Sequence, residues 1–488
     1  MPGWLREFLP IIALLTLIVV VVSRLPKVDL GHSPAFLRRR FFNWFPVGLT
    51  YAFLYMGRYN LNACIGTVFD KADFSNIYFW GTLTYGFSFV LNGPLTDKFG
   101  GKRAIVVAAV GSLMANVGMG FVVKGAAAGT VPKESLVAIL SALYAANMYF
   151  QSFGAVAIVK VNSAWFHLRE RGTFGGIFGI LISLGLYFAL DWCKFILERT
   201  SAPWVFWIPA AILGAFAVFD LLLVKDTPGE AGHTDFDLGD ASSGDTGPRM
   251  PLAKVVMMML RSRAILIIAG IEFCSGFLRN SILQYYRTFA EETGRAASPA
   301  MVKAAKAAPD AAAALAALPS ELVHDHWGMF NCMAGITGGV CAGLISDRVF
   351  GSRRGPVAAV LYGGMLGGTV LMFFALPSLA MGWIVLFMTL AIIGVHGMLS
   401  GTASMDFGGK RNVGVVVGVI DGCVYLGTAL EALILGRVLP KAPANHDPSS
   451  WWTWPAVMLP AAAIGLALAA LVWNARPKSA PKAPAASH

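Results

Sequence analysis

Long apolar segments alternate with short polar ones along almost the whole chain. Windows of about 20 apolar residues match a hydrocarbon core about 30 Å thick, and they occur thirteen times. They lie at residues 8–24, 44–66, 76–96, 104–123, 135–158, 173–196, 203–224, 262–288, 326–345, 356–376, 382–404, 413–437 and 453–473. This pattern predicts an all-α polytopic membrane protein, in which an extra N-terminal helix precedes two six-helix bundles.

The first apolar segment permits two interpretations. Residues 8–22 are either the core of a signal peptide or a retained helix. Cleavage would leave the basic residues of 37–42 outside, against the bias that keeps Lys and Arg in the cytoplasm. We therefore favour a retained helix.

Composition and charge agree with a membrane protein. Hydrophobic residues make up 56% of the 488 residues and charged residues only 13%, which an ordinary soluble protein does not show. The net charge of +11 comes from short basic clusters between the spans, without the aromatic–basic patch of a nucleic-acid-binding protein. These clusters predict that the N-terminus lies outside and the C-terminus in the cytoplasm. The six cysteines have no metal-ligand spacing, so we expect no metal.

Two polar stretches and the tail divide the chain. The acidic, Gly/Pro/Ser-rich stretch predicts a flexible cytoplasmic linker, and the Ala-rich stretch predicts an external insertion. The expected units are an extra helix at 1–36, an N-terminal bundle at 37–224, the linker at 225–253, a C-terminal bundle at 254–475 with its insertion at 290–324, and a disordered tail at 476–488.

The two halves repeat one another. The sequence "GPLTD" at 93–97 corresponds to "GLISD" at 343–347, and Arg58 corresponds to Arg279 in "FLRNSIL". Internal duplication of this kind predicts a substrate site between the halves, near the middle of the membrane.

The duplicated loops predict gates. Asp97 and Asp347 end their helices beside basic residues, so each is expected to form an ion pair that opens and closes. The predicted partners are Arg103 for Asp97, and Arg353 or Arg354 for Asp347. The alternative is a static surface ion pair, which contributes less than about 1 kcal/mol.

Arg58 is the most informative single residue. If its helix begins near Pro46, Arg58 lies about 18 Å deep at 1.5 Å per residue, where an uncompensated charge is costly. Tyr51 and Tyr55 share its helix face by their spacing, which indicates an aqueous cavity.

Further side chains are expected to complete this site. Tyr85 and Tyr425 are predicted to add hydroxyl groups to the cavity, and Arg279 a second permanent charge. Two planar cations facing each other suit a doubly charged, oxygen-rich anion such as phosphate.

Buried acidic residues leave an alternative open. In this alternative each arginine forms an ion pair with a carboxylate of the protein. The candidates are Glu272, which lies two turns before Arg279 on the same helix face, and Asp421 and Glu431, which lie within a later helix. Asp421, Glu431 and His396 are also candidates for carrying a transported proton. Structural hydrogen bonding is the competing explanation for these three.

The local sequences around these residues resemble a known family. "YAFLYMGRYN", "YGFSFVLNGPLTDK", "WFHLRERG", "KDTPGEAG", "FLRNSIL" and "MDFGGKRNVGVVVGVIDGCVYLG" are similar to segments of the organophosphate:phosphate antiporters of the major facilitator superfamily. That group includes the bacterial glycerol-3-phosphate and hexose-phosphate transporters. The resemblance implies the superfamily fold and phosphate binding by both arginines. Phe89 stands where the family commonly has a lysine, and Gln284 where it has an aspartate.

The resemblance also implies a function. We expect alternating-access exchange of a phosphate ester for inorganic phosphate, by a monomer in lipid that needs no cofactor. A proton-coupled carrier of another organic anion and a non-transporting sugar-phosphate sensor remain as alternatives. An enzyme is not expected, because no nucleophile–base pair, metal cluster or phosphate-cradling Gly-rich loop is visible.

Overall fold

The computed structural model confirms the predicted all-α architecture. It describes residues 3–24, 30–167, 170–237, 261–350, 353–399 and 404–474, with the single positions 254 and 257. Thirteen long helices lie in this part of the chain. They are α1 (Gly3–Arg24), α2 (Pro34–Tyr59), α3 (Lys71–Phe99), α4 (Gly101–Ala127), α5 (Lys133–Ser163), α6 (Arg171–Tyr187), α7 (Trp204–Leu223), α8 (Arg263–Glu292), α9 (Trp327–Val349), α10 (Arg354–Ala375), α11 (Ala380–His396), α12 (Ser404–Val438) and α13 (Thr453–Leu471).

Helix α2 begins earlier than the sequence analysis assumed. It starts at Pro34 rather than near Pro46, because the Ser33 hydroxyl accepts a hydrogen bond from the Phe36 N–H and Pro34 suits the first turn. Pro46 is therefore inside the helix, and Arg58 lies in its last turn.

Ten helices in the described part are long and apolar enough to cross a membrane. Helices α2 and α3 are not among these ten, although they have 26 and 29 residues. Both carry several charged and polar side chains, Arg58 among them, which lowers their mean hydropathy.

The N-terminal part of the chain packs on the C-terminal part along two lines. Helix α3 lies along α12, and α6 lies along α9. Within each part, α4 packs on α5 and α7, and α8 packs on α12 and α13. Helix α1 contacts both α6 and α9, so the extra helix lies beside the junction of the two parts.

Glycines allow α8 and α12 to approach closely. A Cβ atom on Gly276 would lie 2.0 Å from the Val424 carbonyl oxygen, and one on Gly427 would lie 2.0 Å from that of Phe273. Only a residue without a side chain fits where backbones meet at this distance. The close approach places Tyr425 of α12 opposite Arg279 of α8.

The connecting segments define two ends of the bundle. The linker side is the end where α7 leads into residues 224–262, and the insertion side is the end where α8 leads into residues 293–326. Residues 225–237 are described, whereas 238–253, most of the predicted linker, fall outside the described residues, as does the predicted tail. The insertion contains short helices at Pro299–Lys306, Ala311–Ala316 and Leu322–Asp325.

The described part of the linker packs on the N-terminal half. The Asp226 carboxylate accepts a hydrogen bond from the Lys102 backbone N–H at 2.7 Å, at the start of α4. Burial raises the pKa of Asp226, and this hydrogen bond opposes the rise. The indole of Trp165 donates to the Lys225 carbonyl at 3.1 Å. The first part of the linker is therefore ordered against α4 and α5.

Substitution of Gly276 by alanine tests the close approach of α8 and α12. The new Cβ meets backbone, which cannot rotate away, so the helices must separate. We expect a loss of about 1–3 kcal/mol, seen as a lower midpoint of thermal unfolding in detergent.

Gly363→Ala is the matched control. Gly363 lies within α10, and a Cβ there has no atom within 4 Å. We expect this variant to unfold at or above the wild-type temperature. Equal melting of the two variants would contradict the packing argument.

Candidate anion-binding site

Arg58 is fully buried at the level where several helices reach their midpoints. Tyr85 stands at the middle of α3, and Tyr425 and Gln151 stand close to the middle of α12 and α5. All three contact the Arg58 side chain. The predicted mid-depth position of this charge agrees with these neighbours.

Neutral oxygen atoms hold the Arg58 guanidinium. Its Nε donates to Gln151 Oε1 at 2.9 Å, its Nη1 to the Tyr425 hydroxyl at 2.7 Å and its Nη2 to the Tyr85 hydroxyl at 2.6 Å. The guanidinium carbon also lies 4.3 Å from the ring centroid of Tyr55. Dipoles and an aromatic face therefore surround the cation, and its full charge remains.

Each of the two phenols accepts a hydrogen bond from the guanidinium and can donate one of its own. A hydroxyl that accepts a hydrogen bond still has its own proton to donate. Tyr85 and Tyr425 accept from Arg58, so each keeps its own O–H proton to donate to a further acceptor. The arrangement presents donors, which is what an oxyanion requires.

Arg279 approaches the same phenol from the C-terminal half. Its guanidinium carbon lies 5.6 Å from the ring centroid of Tyr425, and that of Arg58 lies 5.7 Å from it. Arg279 is partly exposed, and no group in the described part of the chain accepts a hydrogen bond from its guanidinium. The structure thus brings together the two arginines that the internal repeat relates.

Two of the candidate carboxylates have other partners. Glu272 Oε2 lies 2.8 Å from His396 Nδ1, and Glu431 accepts from the Asn280 amide. Asp421 is partly exposed on α12, and its charge acts on Tyr51 and Tyr85. The alternative in which Glu272 or Glu431 neutralises an arginine is therefore not seen.

Aromatic rings pack around the arginines. Tyr51 and Tyr55 pack edge to face at 5.3 Å, as their shared helix face predicts. Phe89 stacks on Tyr425 at 5.9 Å and meets Tyr85 at 4.6 Å. The phenylalanine at the family's usual lysine position therefore extends an aromatic wall.

Polar residues of α5, which the sequence analysis missed, fix Arg58 in place. Gln151 donates to Asn147 Oδ1 at 3.1 Å, and Asn147 donates to the Gly57 carbonyl at 2.9 Å. The Tyr144 hydroxyl donates to the Arg58 carbonyl at 2.9 Å. The signal was present in the sequence, because residues 144, 147 and 151 share one helix face.

The predicted gating residues lie on the linker side. The Asp97 carboxylate accepts from Lys160 at 2.6 Å, whereas its predicted partner Arg103 is exposed. Lys160 reaches Asp97 because α3 and α5 pack along their length. Arg353 donates from Nε to the Phe350 carbonyl at 3.1 Å, and the side chain of Asp347 falls outside the described residues.

Polar contacts join the two halves on the insertion side. Asn62 donates to Gln284 Oε1 at 2.8 Å, and the Ser75 and Tyr285 hydroxyls lie 2.6 Å apart. Further contacts that cross the halves are the Lys71–Glu292 ion pair, the Asp191 carboxylate with the Gly328 and Met329 N–H groups, and Arg287 with the Leu190 carbonyl. This end of the protein is closed.

Known proteins are similar to this chain in sequence and in fold. The chain is 23% identical over 476 residues to the glycerol-3-phosphate transporter of Bacillus subtilis, covering 91% of this chain and 95% of that protein. It is 24% identical over 414 residues to the membrane sensor protein UhpC of Salmonella typhimurium, covering 80% and 84%.

The comparison of structures concerns the fold alone. The nucleoside transporter NupG superposes with a TM-score of 0.51 at 15% identity, over 90% of this chain and 98% of that chain.

The family model of the Major Facilitator Superfamily matches residues 47–431, which is most of the chain. The protein therefore belongs to the major facilitator superfamily, and its relatives confirm the predicted resemblance to the organophosphate:phosphate antiporters.

Proposed function

We propose that this protein exchanges a phosphate ester for inorganic phosphate across the membrane. The observation that carries the proposal is the pair Arg58 and Arg279, which lie against the one ring of Tyr425 and have no acidic hydrogen-bond partner in the described part of the chain. Two uncompensated cations inside a membrane protein attract a doubly charged anion. The relative named as a glycerol-3-phosphate transporter supports the same class of substrate.

The binding mode follows from the donors around the arginines. Arg58 holds Tyr85 and Tyr425 so that their hydroxyl protons are directed away from it. Arg279 retains its donors for the anion itself. In this proposal the phosphoryl group binds between Arg279 and the phenols, and the aromatic wall of Phe89 faces the organic part of the ester.

Alternating access explains how a buried site exchanges its anion. A doubly charged anion cannot cross lipid by itself, so the site has to open to one side at a time. In the structure the insertion side is closed by contacts that join the two halves. We propose that these contacts break when the linker side closes, where Asp97 and Asp347 lie.

The orientation and the assembly belong to the same proposal. We assign the linker side to the cytoplasm because the basic segments of the sequence cluster there. This places the protein in a bacterial inner membrane with the N-terminus outside and the C-terminus inside. The site lies within one chain, so a monomer suffices for transport.

Removal of either arginine tests the function. We expect Arg58→Ala and Arg279→Ala to abolish exchange of labelled phosphate in liposomes loaded with phosphate, because one cation alone leaves the dianion half compensated. Size-exclusion profiles in detergent should remain those of the folded protein.

Arg437→Ala provides a matched control for these variants. Arg437 is exposed on α12, and in the described part of the chain it donates only to the Leu433 carbonyl of its own helix, at 3.0 Å. We expect wild-type exchange from this variant. A fully active Arg58→Ala or Arg279→Ala variant would remove that arginine from the proposed site.

The contribution of the Tyr425 hydroxyl to anion binding can be tested separately from that of its ring. Tyr425→Phe keeps the ring between the arginines and removes one acceptor from Arg58 and one donor to the anion. A loss of about 1.4 kcal/mol, typical of such a bond, raises the KM for phosphate about 10-fold. The control is Tyr149→Phe, since the Tyr149 hydroxyl has no hydrogen-bond partner in the described part of the chain; an unchanged KM for Tyr425→Phe would count against the binding mode.

Charge reversal tests the closure of the insertion side. We expect Lys71→Glu and Glu292→Lys each to slow exchange, because like charges oppose closure, and the double variant to recover much of the rate. Lys303→Glu, at an exposed lysine of the insertion, should have no effect. A double variant slower than both single variants would show that this ion pair is not part of the gate.

A sensor is the second candidate. The relative named as a membrane sensor favours it, as does α1, which contacts α6 of one half and α9 of the other. A sensor would bind phosphate or its esters without exchanging them. Phosphate binding by purified protein that shows no exchange in liposomes would select this candidate.

A further inference from the structure

A second buried polar pair lies in the C-terminal half, apart from the arginines and phenols. Glu272 of α8 is fully buried, and its Oε2 lies 2.8 Å from Nδ1 of His396, at the end of α11. The other carboxylate oxygen, Oε1, has no hydrogen-bond partner in the described part of the chain. The His396 side chain is 22% exposed, so the pair has contact with water through the imidazole.

The neighbours of this pair are mostly neutral. Tyr362 of α10 donates to the Ile271 carbonyl at 2.6 Å, one residue from Glu272, and Cys274 lies two residues along α8. Helix α13, which also packs on α8, contains no ionisable side chain. Helix α9, which packs on α11, carries Cys332 and Cys341 within its span and Asp347 and Arg348 in its last turn.

The remaining carboxylates near α8 belong to α12 and are engaged elsewhere. Glu431 accepts from the Asn280 amide, and the charge of Asp421 acts on Tyr51 and Tyr85 of the other half. His396 is therefore the side chain that contacts the Glu272 carboxylate in the described part of the chain. An imidazole exchanges protons near neutral pH, whereas the amide beside Glu431 does not.

The pair is placed to respond to an anion at Arg279. Glu272 precedes Arg279 by seven residues on the same face of α8, which is about 10 Å at 1.5 Å per residue. With the imidazole neutral, the pair carries the one negative charge of the carboxylate; one added proton makes the pair neutral overall. A dianion bound at Arg279 favours the neutral form, because like charges in a medium of low dielectric constant repel over this distance.

We propose that Glu272 and His396 form a proton-binding site whose occupancy is linked to anion binding at Arg279. The inference rests on the proposed function of Arg279. A proton from the solvent binds the pair when the anion binds and leaves when the anion leaves. By linkage, a proton on the pair strengthens anion binding to the same extent.

The experiment measures protons taken up per bound phosphate. Inorganic phosphate is titrated into the purified full chain by calorimetry, at one pH in two buffers that differ in ionisation enthalpy. Phosphate itself changes protonation on binding, and this contribution is common to all variants. We expect wild type to take up more protons than Glu272→Gln and His396→Gln, both of which lose the excess.

Two further variants make the comparison specific. Asp220→Asn is the matched control, since Asp220 is another fully buried carboxylate, held by the Thr50 hydroxyl at 2.7 Å in the other half. It should keep the wild-type proton uptake. Glu431→Gln tests the nearer carboxylate, and loss of the excess in this variant but not in Glu272→Gln would overturn the assignment.

The outcomes separate this inference from the proposed function. Phosphate binding with equal proton uptake in wild type, Glu272→Gln and His396→Gln overturns the proton site and leaves the anion site intact. Absence of phosphate binding in folded wild-type protein overturns both. If Glu272→Gln does not fold, His396→Gln decides the question, because His396 is partly exposed and its replacement leaves the core of α8 unchanged.

Discussion

The burial of Arg58 is the constraint on which the centre of this protein depends. A guanidinium cannot lose its charge in a protein, so the fold has to surround it with acceptors. Here the acceptors are an amide and two phenols, contributed by three different helices. Because one of the phenols, Tyr425, belongs to the C-terminal half, the solvation of Arg58 also requires the two halves to stay together at this level.

This requirement accounts for features that lie far from Arg58 in the sequence. Helices α8 and α12 approach through Gly276 and Gly427, and this brings Tyr425 under Arg279. Helix α5 presents a row of polar side chains to α2, although a membrane helix is expected to be apolar.

The sequence predicted the members of the site better than their arrangement. Repetition between the halves indicated both arginines, and spacing within one helix indicated Tyr51 and Tyr55. Tyr85 and Tyr425 were expected beside them, and the structure places both hydroxyls against Arg58. Three features depended on packing between helices: the partner of Asp97, the role of Gln151 and the pairing of Glu272 with His396. The start of α2 at Pro34 depended on the cap by Ser33, which a hydropathy window does not detect. Periodicity shows on which face of a helix a residue lies, but not which residues of the neighbouring helix lie opposite it.

The choice of phenols over carboxylates has a mechanistic consequence. A carboxylate beside Arg58 would form a permanent pair and would have to be displaced by every incoming anion. A phenol accepts from the cation and donates to the anion, so it serves the empty and the occupied site with the same hydrogen bond to Arg58. Tyr425 carries this property across the boundary between the halves, because it also lies against Arg279. In the proposed cycle an anion at Arg279 therefore adds to the interactions that hold α3, α8 and α12 together, and its departure weakens them.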